Sequence, residues 1–397
     1  MIRCDVHSFL RWETFLLAIV INANIFRFLL GSIGEIVLYF FYILCFISLW
    51  QYRKGLYPLL QTYNDLKVLY ILSAVVFVYA LLSCLWLPIQ ERVFLIAKFL
   101  LTLLLTAFIP LLNRTTICKI IILSIVINIF YCGIVLNYPE KMAQYLEGDA
   151  NYLNATLTIG LIFTFSLISV FYYYLKGDNW ILLFWLGISY LLIMTLFQFS
   201  ARGVLLFPPA IAILLLPLMG RKRILRSTIL FLFFCFLISF VVNYFIENSS
   251  GYTLYHMQSL FESTEDETRF DVWSTSIFLI FDNLWFIFGG GLNAFKEEGI
   301  SYPHNFFLQL IGEYGFWGLL WIFVFILISF RFIKTILLMK HEQNEIMDYY
   351  VIGGFFYYFC TFSKSFSFYD ALPLLIFFMF CVVMSNKYSL ESHYFNV

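Results

Sequence analysis

The sequence is poor in charged residues, and this scarcity limits the classes of protein that it can encode. Asp, Glu, Lys and Arg make up 12% of the 397 residues, whereas an ordinary soluble domain carries about a quarter. Hydrophobic residues make up 62%, and the mean hydropathy is +0.88. A water-exposed surface cannot be built from this composition, and a net charge of zero lacks the basic footprint of a nucleic-acid-binding protein.

Cysteine patterns that bind metals or form a disulfide framework are also missing. The eight Cys residues lie in or beside apolar runs, and neither a CxxC nor a His-rich pattern occurs. We therefore expect buried free thiols, no metal and no cofactor. The acidic run at 265–267 does not change this expectation, because consecutive carboxylates on one segment seldom converge on one ion. The first apolar run, which starts near Thr14, lacks a small-residue cleavage site and indicates an uncleaved first span.

Long apolar runs are the main feature that the sequence does contain. They last roughly 17 to 22 residues without period-two alternation, which fits helices that cross a bilayer and argues against barrel strands. We predict an all-α, polytopic transmembrane helical bundle with about twelve spans. The predicted spans are 14–30, 33–50, 68–87, 93–112, 117–137, 157–175, 180–199, 203–219, 228–246, 314–330, 349–364 and 370–385. Pro208, Pro209 and Pro217 are expected to bend or break the eighth.

The distribution of Lys and Arg predicts the orientation of the bundle. Sixteen of the 24 basic residues fall at the two termini or in alternate short loops, with GRKRILR at 220–226 as the strongest group. By the positive-inside rule, these loops and both termini are cytoplasmic. The chain is then expected to be a multi-pass membrane protein with both ends on the cytoplasmic side.

One long loop on the outer side divides the chain into three parts. We assign residues 1–246 to spans one to nine, 247–303 to a long outer loop and 304–397 to spans ten to twelve. Within the loop, 272–290 is apolar but interrupted by Asp282 and Asn283. A crossing there would reverse every span downstream, so we predict an interfacial helix instead. Loops of this length are usually functional or disordered, and this one is too aromatic for disorder.

Two arginines stand out among the basic residues outside the cytoplasmic loops. Arg202 lies in FSARG, in a predicted tight turn at 200–203 between two spans, where a guanidinium could bind phosphate oxygens in a fork. An ion pair with an outer-loop carboxylate is the plainer alternative. Arg269 lies four residues before Trp273, so both are expected to share a helix face. A solvated salt bridge in an acidic loop is the alternative for Arg269.

The segment PHNFFLQLIGEYGFWG at 303–318 is the third candidate. Pro303 suits a helix start, His304 is expected to open the helix, and Phe307, Leu308 and Ile311 are expected to form its apolar stripe. Glu313, Gly315 and Gly318 then predict a bend into the tenth span. A histidine at a membrane interface is commonly structural, but a neutral imidazole there could accept a proton from a hydroxyl. Lys98 and Lys364, near predicted outer helix ends, are further candidates for phosphate contacts.

The order of these motifs resembles the O-antigen polymerase and O-antigen ligase family of bacterial envelope enzymes. An SxRG between paired spans is followed by RxxxW in a long outer loop, then by GGGLNAF and PHNxxLQxxxEYGxxG. The resemblance covers about residues 180–365. It implies a metal-independent glycosyltransferase of the bacterial inner membrane that acts at the periplasmic face, so that the long outer loop is periplasmic. The donor would be a glycan linked through diphosphate to undecaprenol. Arg202 and Arg269 would then bind the diphosphate, and His304 would act as the general base, with Asn305 and Glu313 as supporting residues.

Several functions remain open at this point. Polymerisation of lipid-linked O-antigen units is preferred, because PHNFFLQL with GEYGFWG is closer to the polymerase branch. Ligation of the glycan to lipid A core uses the same type of donor. A polysaccharide-lipid flippase or transporter is the alternative of another class, although such proteins often place ionisable groups at mid-bilayer. The expected partners are the lipid-linked oligosaccharide, membrane lipid and a polysaccharide chain-length regulator, with no nucleic acid.

Overall fold

The computed structural model describes residues 12–22, 25, 32–85, 92–137, 151–196, 202–219, 229, 232, 268–300, 303–338, 345–364 and 367–385. All regular elements in these ranges are helical. The α-helices are α1 (Trp12–Ile21), α2 (Ser32–Trp50), α3 (Leu56–Thr62), α4 (Asn64–Ser83), α5 (Arg92–Phe108), α6 (Arg114–Asn137), α7 (Asn151–Lys176), α8 (Asn179–Leu196), α9 (Arg202–Met219), α10 (Thr268–Asp282), α11 (Trp285–Phe288), α12 (Ala294–Glu297), α13 (Phe306–Leu338), α14 (Glu345–Lys364) and α15 (Leu372–Ser385). Three 3-10 turns accompany them at Arg53–Gly55, Ile109–Leu111 and Phe368–Asp370.

The predicted fold class, an all-α polytopic membrane protein, is confirmed. Six described helices are long and apolar enough to cross a membrane, or seven if the bent pair of α2 and the Arg53–Leu60 segment forms one span. Three shorter apolar helices also occur, at Trp12–Ile21, Leu206–Met219 and Leu372–Ser385. In a bilayer the backbone polar groups must be satisfied within the chain, which a helix achieves and an open strand does not.

Eleven of the twelve predicted spans overlap a helix, and the count of twelve stays a prediction. The predicted span 228–246 lies outside the described residues apart from two isolated helical positions, and so do the basic loop 220–226 and the loop residues 247–267. Residues 272–290 do not form one long helix, because α10 ends at Asp282 and the short α11 follows. The eighth predicted span is not broken, since α9 runs through its three prolines as one helix.

Two helices form the centre of the bundle, and the others surround them. α7 is almost entirely buried beyond Ala155, and every residue of α15 is buried. Aromatic rings fill the space between α7 and α14, where Phe165 stacks on Tyr350 at a centroid distance of 4.9 Å. The peripheral α8 instead exposes large apolar side chains such as Trp180 and Phe184. A continuous exposed apolar face of this kind is suited to lipid rather than water.

Ion pairs join the helix ends at one end of the bundle, which we call the far end. Arg114 at the start of α6 binds Asp348 near the start of α14, with 2.7 Å between Nη2 and the carboxylate oxygen Oδ1. Arg331, near the end of α13, pairs with Asp65 at the start of α4. These are helix ends that the distribution of Lys and Arg assigns to the cytoplasmic side.

The opposite end of the bundle, which we call the site end, contains the other helix termini, and side-chain contacts join them. Lys98 in the first half of α5 pairs with Asp370, just before α15. A Cβ added at Gly160 in α7 would meet both Val204 of α9 and Tyr357 of α14. The site end therefore contains the beginnings of α5, α7, α9, α13 and α15. These are the helix ends that the sequence predicts to face outward, although the side of the membrane on which they lie stays a prediction.

Candidate functional site

The first element of the site end is α10, which carries Arg269 and Trp273 on one face. The two residues lie four positions apart within one α-helix, so the predicted shared face is confirmed. Ser276 and Ile280 continue the same stripe at helical spacing, and both are buried. α10 packs against α13 through this part of the molecule. The side chain of Arg269 lies outside what the structure describes, but its position belongs to the inward-facing stripe.

The second element is a sharp fold in α13 at Gly315. This residue has φ 59° and ψ −133°, a conformation that essentially only glycine adopts without strain. In a straight helix residues 310 and 318 lie about 12 Å apart along the axis. Here a Cβ at Gly318 would lie 2.0 Å from the carbonyl oxygen of Leu310. The predicted bend into the tenth span is therefore confirmed, and it divides α13 into residues 306–314, which we call the arm, and a longer membrane-spanning part.

The glycine segment 289–291 satisfies the backbone groups that this fold releases. In a continuous helix the carbonyls of Gly312 and Glu313 would accept from the N–H groups of residues 316 and 317. Instead, the N–H of Gly290 donates to the Gly312 carbonyl at 2.7 Å, and the N–H of Gly291 donates to the Glu313 carbonyl at 2.9 Å. The two motifs GGGLNAF and EYGxxG are therefore parts of one backbone junction.

This junction requires glycine on both sides because the two backbones touch. A Cβ added at Gly315 would lie 2.5 Å from the backbone nitrogen of Gly289. A Cβ added at Gly289, which has φ +76°, would lie 2.6 Å from the Glu313 carbonyl oxygen. Neither obstacle is the flexible end of a side chain, so a substitution at either position must displace the main chain.

Residues near the end of α4 form hydrogen bonds to the backbone on either side of the glycine segment. The hydroxyl of Tyr79 donates to the carbonyl of Phe288 at 2.6 Å. Ser83, which is fully buried, accepts from the backbone N–H of Leu292 at 3.1 Å through its Oγ. The segment from α11 to α12 is thus fixed to the bundle by α4 and by the folded α13.

His304 directly precedes the arm and has φ +51°. A non-glycine residue in the left-handed region costs roughly 1–2 kcal/mol, and such outliers concentrate at functional sites. The other two described non-glycine residues with positive φ, Leu284 and Asn293, also lie in this part of the chain. His304 does not open the helix as predicted; the arm begins at Phe306.

Asn305 explains this boundary, because it is the N-cap of α13. Its Oδ1 accepts from the backbone N–H groups of Phe307 at 2.9 Å and Leu308 at 3.2 Å. An N-cap residue satisfies donors that the first turn of a helix leaves free. The structure therefore gives Asn305 a local role, while the predicted contact with the imidazole ring or with a sugar stays a prediction.

The buried face of the arm differs from the predicted stripe. Phe307, Leu308 and Ile311 are only half-buried. The fully buried arm residues are Phe306, Gln309, Leu310, Gly312, Glu313 and Tyr314. Two of them are polar, so the apolar pattern alone assigned the inward face to the wrong side of the helix.

The two buried polar residues of the arm belong to one hydrogen-bonded cluster. The Gln309 side chain donates through Nε2 to Glu313 Oε1 at 2.9 Å. The hydroxyl of Tyr369 donates to the other carboxylate oxygen of Glu313. The hydroxyls of Tyr314 and Tyr369 lie 2.8 Å apart. A buried carboxylate is tolerated when its oxygens are hydrogen-bonded in this way.

The basic residues of α5 at the site end are paired with carboxylates. Arg92 is 1% exposed and donates through Nη2 to Glu297 of α12 at 2.8 Å. Lys98, predicted as a phosphate contact, forms the ion pair with Asp370. Lys364, the other predicted lysine, is the last residue of α14 and so also lies at the site end.

Arg202 is the first residue of α9, rather than a residue of a tight turn. Its side chain, like positions 200 and 201, lies outside what the structure describes. The first turn of α9 packs closely on its neighbours, because the added Cβ at Gly160 would lie 2.5 Å from Val204 and 2.2 Å from the Tyr357 hydroxyl. Arg202 therefore lies where α7, α9 and α14 meet at the site end.

The structure thus gathers the predicted site positions at one end, although it does not describe the side chains of the two arginines. Sequence reasoning missed Gln309, Tyr369 and the Arg92–Glu297 pair. The sequence did offer a signal for Gln309, because it lies one helical turn before Glu313 and the two side chains can therefore interact. Tyr369 and Glu297 had no comparable signal, since their partners are distant in sequence.

Comparison with known protein families supports the motif-based assignment. Residues 182–323 match the family model described as O-antigen ligase. The match includes α9, α10, the glycine junction, His304 and Glu313, and it leaves out Lys98 and Lys364. It ends before the limit of 365 that the motifs suggested. No curated protein matches the chain significantly.

Proposed function

We propose that the chain polymerises undecaprenyl-diphosphate-linked O-antigen units at the periplasmic face of the inner membrane, a proposal supported by the match of residues 182–323 to the O-antigen ligase family model. The family match supports a role in glycosyl transfer during O-antigen assembly. The choice of polymerisation, the lipid diphosphate donor and the location with both termini in the cytoplasm are proposals. The chain-length regulator as a partner and catalysis without a metal are proposals as well.

The observation that carries the proposal is the convergence of the motif segments at the site end. α9 begins there with Arg202, the inward stripe of α10 includes position 269, and His304 directly precedes the arm of the folded α13. These segments are separated by long stretches of sequence, yet each packs on α7, α13 or α14. A site assembled from several helix ends suits a large substrate that approaches from the membrane surface.

The proposed chemistry assigns one task to each residue. An acceptor sugar hydroxyl attacks the anomeric carbon of the donor glycan, a new glycosidic bond forms, and undecaprenyl diphosphate leaves. His304 takes the hydroxyl proton as general base. Arg202 and Arg269 neutralise the diphosphate as negative charge develops on it, since a guanidinium binds phosphate oxygens in a bidentate manner.

The lysine at position 98 has a smaller part in this scheme than the sequence suggested. Lys98 and Arg92 already face carboxylates of the chain. A diphosphate would have to compete with Asp370 or Glu297 for them. The two arginines of the matched family region are therefore the stronger candidates for binding the donor.

Polymerisation and ligation are distinguished by the acceptor. We favour polymerisation on the sequence of the segment 303–318, and ligation to lipid A core is the second candidate within the family. A flippase is less compatible with the site, because the described ionisable side chains that the motifs single out lie near helix ends rather than at mid-span.

The test is a deletion strain combined with reconstitution of the purified full-length protein. We expect the surface polysaccharide of the deletion strain to collapse from a ladder to single repeat units on a gel. The purified protein should lengthen a lipid-linked oligosaccharide in liposomes. A deletion strain that still makes long lipid-linked polymer, but does not attach it to lipid A core, would show that the protein is the ligase. A purified protein that moves the lipid-linked glycan across the bilayer without changing its length would overturn both.

A further inference from the structure

The arm of α13 is attached to the rest of the site end by a second set of contacts besides the glycine junction, a group of hydrogen bonds that we call the polar lock. Gln309 contributes to both halves of this lock. Its Nε2 donates to Glu313, while its Oε1 accepts from the backbone N–H of Phe368 at 2.8 Å and from the Ser367 hydroxyl at 3.0 Å. The lock therefore ties the arm to the Phe368–Asp370 turn that precedes α15.

Glu313 cannot itself touch a substrate in this arrangement. The residue is 1% exposed, and each carboxylate oxygen accepts a hydrogen bond from a protein donor, Gln309 on one side and Tyr369 on the other. A carboxylate that is enclosed and fully engaged holds its partners in place rather than reacting.

The position of the lock determines the position of His304. The arm from residue 306 to residue 314 is about 13 Å long at the rise of an α-helix. The C-terminal end of the arm is held by the glycine junction, and its N-terminal end continues through the Asn305 cap into His304. A small change in the angle of the arm about the glycine junction therefore moves the imidazole, because His304 precedes the end of the arm that lies away from this junction.

We propose that Glu313 is a positioning residue: with Gln309 and Tyr369 it locks the arm to the 368–370 turn and so sets the place of His304 in glycosyl transfer. The proposal rests on the proposed function in so far as His304 acts on the acceptor. The proposed role depends on the geometry of the hydrogen bonds that Glu313 accepts, and it does not depend on the charge of Glu313.

Three substitutions at Glu313 separate geometry from charge. Glu313→Gln keeps the length of the side chain and can still meet Gln309 and Tyr369, so we expect kcat to remain within several-fold of wild type. Glu313→Asp keeps the charge but withdraws the carboxylate by about one C–C bond, roughly 1.5 Å. A misplacement of about 1 Å can cost about 10²-fold in rate, so we expect kcat of this variant to fall about 100-fold while KM for the lipid-linked donor changes little. Glu313→Ala should lose at least as much activity.

Tyr369→Phe tests the same lock through one oxygen atom, in case the variants at position 313 do not fold. It should lower kcat by about ten-fold without raising KM for the donor. Tyr350→Phe is the matched control, since Tyr350 is also a buried tyrosine, and its hydroxyl bonds Ser169 of α7, away from the arm. We expect Tyr350→Phe to keep wild-type kcat.

The outcomes are decisive in both directions. Retention of activity by Glu313→Asp together with its loss in Glu313→Gln would show that charge matters and would overturn the proposal. Equal effects of Tyr369→Phe and Tyr350→Phe would overturn it as well. The measured reaction is whichever glycosyl transfer the wild-type protein performs. If that reaction is attachment to lipid A core, polymerisation is refuted, and the ratios among the variants still test the lock.

Discussion

Replacement of Gly315 by alanine tests the backbone junction between the glycine segment and the fold in α13. The added Cβ would lie 2.5 Å from the backbone nitrogen of Gly289 and 2.7 Å from the carbonyl oxygen of Ile287. The backbone conformation at Gly315 is itself unfavourable for alanine, by about 1–3 kcal/mol. Displacement of the segment would also break the two hydrogen bonds from Gly290 and Gly291, each with a net contribution of about 0.5–1.5 kcal/mol.

We therefore expect Gly315→Ala to destabilise the protein by roughly 2–6 kcal/mol and to abolish glycan transfer. The control is Gly187→Ala in α8, where nothing lies within 4 Å of the added Cβ. In a helix that substitution should stabilise the protein slightly, by up to about 1 kcal/mol. Unfolding of both variants in mixed detergent micelles gives the difference in free energy, and the transfer assay gives the activity. If Gly315→Ala unfolds and reacts like Gly187→Ala, the junction does not hold the site as described.

Three further substitutions test individual residues of the site. Arg202→Lys should lose most activity, because an ammonium cannot bind phosphate oxygens as a fork, whereas Arg331→Lys at the far end should keep the wild-type chain-length ladder. His304→Asn should abolish turnover without changing the unfolding midpoint, since asparagine tolerates positive φ but cannot act as the base; an unchanged ladder would remove His304 from the chemistry. Asn305→Leu should cost about 0.5–2 kcal/mol of stability through loss of the N-cap, while Asn305→Asp should keep the cap; equal stability of the two variants would contradict the capping role.

The architecture could be predicted from sequence because lipid imposes a simple pattern. A span must be apolar along its length and helical, so α4, α5 and α6 were found within a few residues of their observed bounds. The prolines of α9 do not break the helix, since a membrane helix can accommodate them when neighbouring groups satisfy the released carbonyls, and the predicted bend stays a prediction. The long α13 was predicted in two pieces, an arm and a span, which agrees with its fold at Gly315.

Contacts inside the site could be predicted only where the residues involved are close together in the sequence. The bend at Gly315 and the shared face of Arg269 and Trp273 follow from neighbouring residues, and both were found. The pairing of Lys98 with Asp370 joins residues 272 positions apart, and no local pattern indicates it. The buried face of the arm was misassigned for a related reason: a polar residue such as Gln309 is buried only when a distant turn supplies its partners.

The fold in α13 has a consequence for the depth of His304 in the membrane. Phe306 at the start of the arm and Trp321 in the span both lie against the ring of Phe368, at centroid distances of 6.4 and 5.8 Å. The arm thus turns back beside the span, and His304 is recessed rather than raised above the bundle. The span that follows, residues 316–338, is about 34 Å long, close to the thickness of a hydrocarbon core. A thicker bilayer would carry the lipid phosphates away from the imidazole, so hydrophobic mismatch would lengthen the distance between the proposed donor diphosphate and the proposed base.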